Sequence, residues 1–233
     1  MNPLNLDLLP CTAGLHPHAW QGDTIAPSDG CGTELVSWMA GEPWSDHPAC
    51  LDPTIGAFIR CWWDGLPTPE DRRRLIGPRL DACVGTNTGT ADAERRAWMA
   101  ADWLVRVHTV AWCRLVPSLA AHADALAALP ELTDDDSFSA AMPVVAAARD
   151  AAGAAARDAA RDAAWAAARD AAWDAAWAAA WDAAGDAAGA AARAAAGDAA
   201  WAAAWAAAGD ALAPTVAQLQ ASAADLLDRM VAS

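Results

Sequence analysis

Residues 149–184 read RDAAGAAARDAARDAAWAAARDAAWDAAWAAAWDAA and open an array that continues to residue 212. The array consists of sixteen tetrads, each with Arg, Gly or Trp first, Asp or Ala second, and two alanines, apart from the final Leu212. The tetrads group in threes, with Asp in the second place of every group, so the repeat unit is twelve residues long. Alanine has the highest helix propensity and outweighs the few glycines at ~1 kcal/mol each. The array therefore predicts long helix.

The four-residue period limits how this helix can be arranged. Four residues advance about 400° around a helix, so the Trp/Arg/Gly stripe drifts about 40° per tetrad. One straight rod of roughly 95 Å would expose tryptophan on every side. Glycine followed by aspartate can end one helix and cap the next, and we expect a hairpin near Gly185–Gly189. Alternatively, the repeat is an expansion at the DNA level, and the choice among Trp, Arg and Gly carries no recognition code.

The rest of the chain also predicts helix, since no segment shows the period-two alternation of a strand. We expect an all-α fold, with a helical domain followed by a long Ala-rich helix or hairpin that packs with a C-terminal helix. The predicted segments are an irregular arm (1–32), a helical domain (33–147), repeat helices (148–212) and a C-terminal helix (213–233). Start and stop signals predict helices from Thr33 to Gly41, after Asp52-Pro53, after Thr68-Pro69, from Thr90 to Val116, and from Ser118 to Leu129.

Composition and charge exclude several classes of function. The formal net charge is −15, which disfavours nucleic-acid binding because that binding depends on cation–phosphate contacts. Acidity suits a basic protein partner, although it also keeps an alanine-rich protein in solution. All fifteen cations are arginine, and tyrosine is absent. This residue set is typical of GC-rich codons and indicates a high-GC bacterium or its phage.

The expected location is the cytoplasm. The first residues lack the basic and apolar regions of a signal peptide. No window supplies the ~18 apolar residues that a membrane helix needs. Six cysteines lack the dense spacing of a disulfide framework, so we expect reduced thiols.

The cysteines and histidines near the start of the chain could bind zinc, since both are preferred ligands of this metal and a small arm gains stability from it. The candidate ligands are Cys11, His16, His18, Cys31, His47 and Cys50. No paired Cys-x2-Cys motif is present, and reduced cysteines with turn histidines explain the same residues. We expect no other cofactor.

No catalytic motif is present, and we predict a protein that is not an enzyme. Asp102 and Arg106 are four residues apart and are expected to form an ion pair within one helix. Asp102 and His108 lie on different faces of that helix, so they do not form an acid–base pair. The glycine-bounded turn from Val84 to Thr90 lacks the lysine of a phosphate-binding loop.

Gly41-Glu42-Pro43-Trp44-Ser45-Asp46-His47-Pro48-Ala49-Cys50, the segment Arg95-Arg96-Ala97-Trp98-Met99-Ala100-Ala101-Asp102-Trp103, and the tetrads together resemble a known group of proteins. The group consists of uncharacterised actinobacterial and actinophage proteins related to ones labelled as immunity proteins. The likeness covers most of the chain after residue 30. It implies an all-helical fold, no established enzymatic activity, and neutralisation of a toxin by binding.

The leading hypothesis is therefore a non-enzymatic, immunity-like binding protein with a basic or toxin partner. Two alternatives are a structural protein that self-associates through exposed tryptophans, and a zinc-binding protein that uses the Cys and His residues above. Candidate partner-binding residues are Trp44, Asp46, Trp165, Trp173, Trp177, Trp181, Trp201 and Trp205. Large aromatic side chains of this kind, when exposed, mark interaction surfaces.

Overall fold

The computed structural model describes residues 30–66, 68–182 and 187–233, with side chains at 160, 162–164 and 166–208 left out of the description. Within these residues the fold is all-α and contains no strand, which confirms the predicted class. The α-helices are α1 Gly32–Ala40, α2 Pro53–Gly65, α3 Pro69–Leu75, α4 Thr90–Trp103, α5 Thr109–Cys113, α6 Ala120–Ala127, α7 Asp135–Asp182 and α8 Ala187–Ala232. Short 3-10 turns follow α3 and precede α6, and a π-helical segment, Leu104–His108, lies between α4 and α5.

Local capping signals explain where most of the short helices begin. Asp52 caps α2 by accepting from the backbone N–H groups of Thr54 and Ile55 at 2.8 and 3.1 Å, and Pro53 occupies the first turn. Thr68 caps α3 in the same way by accepting from the Asp71 N–H at 3.1 Å. Both helix starts were predicted from the sequence.

Helix α1 corrects one prediction and confirms another. Its N-cap is Cys31 and not Thr33, because Glu34 on the third helical position reaches back to accept from the Cys31 N–H at 2.7 Å. Together with the approach of the Glu34 N–H to the Cys31 side chain, this contact forms a capping box. The stop is Gly41, as predicted, which adopts the left-handed conformation at φ +74° that glycine tolerates without strain.

The helix predicted from Thr90 to Val116 begins at the expected residue but is not continuous. A π-helical segment interrupts it after Trp103, and α5 ends at Cys113, before Pro117. Helix α6 is shorter than the predicted Ser118–Leu129 helix, since a 3-10 turn occupies Pro117–Leu119. Asp102, near the end of α4, and Arg106, within the π-helical segment, form the predicted ion pair, with a second carboxylate–guanidinium contact at 2.9 Å.

The array is helical wherever the structure describes it, as the alanine content predicts. Helix α7 starts before the array, and α8 continues past Leu212, so neither predicted segment boundary (148 and 213) coincides with a helix end. The hairpin predicted near Gly185–Gly189 falls partly on residues outside the described ones. None of the described helices is long and apolar enough to cross a membrane.

The chain divides into two compact units. Unit 1 contains the described residues up to His108 together with Ala128–Ala141 and Gln218–Ser233. Unit 2 contains Thr109–Ala127 and Met142–Ala217. In unit 2, α5 packs on α6.

The core of unit 1 combines helices from both ends of the chain. Helices α1, α2 and the turns after α3 supply most of its apolar side chains, and the end of α8 supplies the others. The largest fully buried members are Leu35, Met39, Ile55, Ile59, Ile76, Leu80, Leu226, Leu227 and Met230. The last turns of α8 are therefore part of the same core as α1, nearly two hundred residues earlier.

A candidate binding pocket beside the Gly41–Cys50 loop

The loop from Gly41 to Cys50, which joins α1 to α2, is held in shape by its own polar groups. The Ser45 N–H donates to the Ser37 hydroxyl at 3.2 Å, and the Ala49 N–H donates to the Glu42 carboxylate at 2.7 Å. The His47 N–H donates to the Ser45 hydroxyl at 3.0 Å. Local side-chain to backbone bonds of this kind give a short loop one preferred conformation.

Asp46 and His47 form a hydrogen-bonded pair on this loop. The His47 Nδ1 lies 2.8 Å from the Asp46 Oδ1. The hydrogen bond from His47, with weaker help from nearby cationic charge, holds the pKa of the Asp46 carboxyl below its usual value. The Arg60 guanidinium, on α2, donates from Nη1 to the Asp46 carbonyl oxygen at 2.7 Å and so ties the loop to the helix.

A partly open pocket of about 240 Å³ lies where this loop meets α2. Its lining combines apolar side chains with a small number of polar ones, as ligand pockets generally do. The lining residues are His47, Pro48, Leu51, Asp52, Pro53, Gly56, Arg60 and Asn87. Asn87 reaches the pocket from the turn after Cys83, and its side-chain amide donates to the Ala49 carbonyl at 2.8 Å.

Three polar groups in the lining keep unused hydrogen-bonding capacity within the described part of the chain. Arg60 uses only Nη1, so its Nε and Nη2 donors remain available. Asn87 uses its amide nitrogen, and its Oδ1 accepts no hydrogen bond from a described residue. His47 uses Nδ1, which leaves Nε2. These groups can bind a ligand without breaking an existing side-chain contact.

A buried ion pair fixes the N-terminal end of α2 beneath the pocket. The Asp52 and Arg96 side chains are 0% and 3% exposed, and Arg96 Nη1 lies 2.8 Å from Asp52 Oδ2. Arg96 also donates to the carbonyl oxygens of Thr86 at 2.7 Å and Met230 at 2.8 Å. All these groups are hydrogen-bonded, which is the condition for a buried charge pair to be tolerated.

Three of the predicted zinc ligands, Cys31, His47 and Cys50, lie in the described ranges, and the structure gives them other surroundings. Cys31 is buried, caps α1, and places its Sγ 3.1 Å from the Thr33 hydroxyl, while burial raises the pKa of its thiol. Burial also raises the pKa of the half-buried Cys50, and His47 is exposed and pairs with Asp46. In the described ranges no group of three or more His, Cys, Asp or Glu side chains is placed to hold a metal ion. Cys11, His16 and His18 lie outside those ranges.

Of the predicted partner-binding residues, two have contacts within the fold, one is exposed, and the others have side chains outside the described ones. Trp44 is half-buried and packs against Gly30, where an added Cβ would lie 2.7 Å from the indole ring. Asp46 is engaged with His47, whereas the Trp165 side chain is 73% exposed. The side chains of Trp173, Trp177, Trp181, Trp201 and Trp205 are outside the described ones.

Sequence reasoning did not identify Arg60 or Asn87 as site residues, nor Arg96 as the partner of Asp52. Arg60 lies four residues after Gly56 and therefore on the same face of α2. The same spacing recurs at Gly153 and Arg157, where Arg157 is exposed, so the spacing alone does not predict a pocket. Asn87 reaches the pocket from a separate turn, and no local signal marks it either.

Comparison of the chain with protein-family models, with curated proteins and with solved structures finds no match. The family resemblance noted from the sequence therefore remains a prediction.

Proposed function

We propose that this protein is a non-enzymatic binding protein that neutralises a basic protein partner, in the manner of an immunity protein. The observation that carries the proposal is the way in which unit 1 uses its positive charges. All eight arginines from Arg60 to Arg106 donate hydrogen bonds to carboxylates or carbonyl oxygens of the same unit. Most of these cations are already paired with carboxylates of unit 1, whereas Arg60 keeps two unused donors.

Several acids of unit 1 remain exposed and form no ion pair within the described part of the chain. Asp64 on α2, Glu94 on α4 and Asp225 on α8 are examples. Unit 1 therefore presents unpaired acidic groups on its surface. A surface of one sign steers an oppositely charged partner and raises its association rate, while it repels acidic competitors.

The experiment is co-expression with a basic toxin encoded beside the gene for this protein. We expect growth to be rescued and the two proteins to co-purify as a complex whose association slows as salt is added. Absence of both rescue and complex would contradict the proposal.

Matched charge variants locate the binding surface. The triple variant D64N/E94Q/D225N removes unpaired exposed acids from unit 1, and D150N/D158N/D210N removes the same charge from the array. We expect the first to slow association on the order of tenfold at low salt and the second to have a smaller effect. Equal effects would place the interaction elsewhere.

Self-association through the array is the second candidate, and the exposed Trp165 side chain favours it. Large exposed aromatic surface is uncommon on monomers and often marks an interface. Light scattering across a hundredfold range of concentration tests this idea. A constant monomer mass for the full chain would reject it.

A further inference from the structure

We propose that the pocket beside the Gly41–Cys50 loop binds a small organic carboxylate. The inference concerns a small-molecule site and does not depend on the protein partner proposed above. It is carried by Arg60 and by the shape and lining of the pocket, all within unit 1.

Arg60 differs from most arginines of unit 1 because it forms no direct ion pair with a described carboxylate, and only the nearby charge of Asp46 acts on it. Arg73, Arg74, Arg79, Arg95, Arg96 and Arg106 each form an ion pair. Arg60 instead donates from Nη1 to the backbone carbonyl of Asp46. In an acidic protein, a cation that lines a pocket without a carboxylate partner indicates a place for an anion from outside.

The free edge of Arg60 suits a carboxylate in particular. The Nε and Nη2 donors lie side by side on the edge opposite the bonded Nη1. Two parallel N–H groups match the two oxygens of a carboxylate and give a bidentate, charge-assisted contact. A phosphate would bring more negative charge near the Asp46 and Asp52 carboxylates, so a single negative charge is the better match.

The apolar lining indicates that the anion carries an organic body. Pro48, Leu51 and Pro53 supply apolar surface beside Arg60. A cavity of about 150 Å³ holds benzene, so a pocket of about 240 Å³ has room for a ring with a carboxylate. The Asn87 Oδ1 can accept one hydrogen bond from a ring substituent.

Gly56 keeps the pocket open. A Cβ at this position would lie 3.2 Å from Leu51 Cδ2 and 3.3 Å from Arg60 Nη1, which is tighter than ordinary contact. Any side chain here would narrow the space between the apolar wall and the guanidinium.

The test uses benzoate, with benzamide as an uncharged molecule of the same shape and inorganic phosphate as an anion without an organic body. Each is titrated into the full chain while NMR follows the side-chain amide of Asn87. We expect benzoate to give a saturable shift, and benzamide and phosphate to bind at least about tenfold more weakly. No saturable shift with benzoate, or equal binding of benzamide, would overturn the proposal.

Three variants locate the site. R60Q removes the positive charge and should weaken benzoate about tenfold or more, whereas R74Q, at an exposed pair with Asp71, should leave it unchanged. G56A leaves Arg60 in place and should weaken benzoate by narrowing the pocket. Thermal unfolding of each variant confirms that it is folded. Unchanged benzoate binding in folded R60Q and G56A would place the binding elsewhere and reject this site.

Discussion

Asp52 shows how one residue serves both local and long-range structure. One carboxylate oxygen caps α2 through the Thr54 and Ile55 N–H groups, and the other pairs with Arg96. The first role is readable from the Asp-Pro dipeptide, since capping acts over three residues. The second joins residues 44 positions apart and is visible only in the folded chain.

Replacing Arg96 with Met should lower the free energy of unfolding by about 3–5 kcal/mol, because it leaves the buried Asp52 carboxylate without its cationic partner. Urea unfolding measures the loss. The control is R74M, which breaks an exposed pair and should cost less than about 1 kcal/mol. Similar losses in the two variants would mean that the Asp52–Arg96 pair does not carry this energy.

His108 should make stability depend on pH. Burial lowers the pKa of this imidazole, whose ring centroid lies 5.2 Å from that of Trp103. The unfolded chain then binds a proton at higher pH than the folded chain, so stability falls as the pH drops below about 6.5. Thermal unfolding between pH 8 and pH 5 should show a smaller decrease for H108Q than for the unaltered protein. The same decrease in both would exclude His108 as the source.

Among the helices, each of the two long ones contains one proline in its interior. Pro143 lies within α7 and Pro214 within α8. A proline in a helix removes one backbone hydrogen bond and crowds the carbonyl four residues earlier. These segments stay helical because alanine-rich helix flanks them on both sides. Sequence rules that place a helix end before a proline do not predict this continuity.

Replacing Pro214 with Ala should stabilise α8, by up to about 3 kcal/mol, since it restores the N–H donor to the Asp210 carbonyl. Hydrogen exchange around residues 210–218 should slow. The reverse change, A217P on the same exposed stretch, should speed exchange there. Unchanged exchange in P214A would show that the backbone has already compensated for the missing donor.

At the scale of the whole molecule, the end of α8 completes the core of unit 1. Leu226, Leu227 and Met230 are fully buried in the same cluster as α1 and α2. Arg79 on unit 1 also pairs with Asp228 through two hydrogen bonds of 2.8 and 2.9 Å. The predicted C-terminal helix therefore stabilises residues near the start of the described chain.

Truncating Leu227 to Ala should destabilise unit 1 by about 2–5 kcal/mol. The readout is the reaction of Cys83 with a thiol reagent, because burial raises the pKa of this thiol to about 12 and its core position protects it. We expect faster labelling in L227A. L212A, on a half-exposed site of the same helix, should label like the unaltered protein. Equal labelling of L227A, L212A and the unaltered protein would show that the end of α8 does not protect Cys83.

Local sequence was enough to predict the helical class, the caps at Asp52 and Thr68, the stop at Gly41 and the Asp102–Arg106 pair. Each depends on propensities or side chains within about four positions, and such interactions are written into short segments. Local prediction still has a limit: the predicted N-cap at Thr33 was wrong, because Cys31 and Glu34 form the cap within the same few residues.

Local sequence does not show which distant residues meet. The pairing of Asp52 with Arg96, the burial of Leu227 beside α1 and the convergence of Arg60 with Asn87 all depend on how the helices pack. Many packings satisfy the same apolar stripes, since hydrophobic burial is not directional. The partners of a buried charge and the lining of a pocket are therefore fixed by packing in three dimensions and not by local sequence.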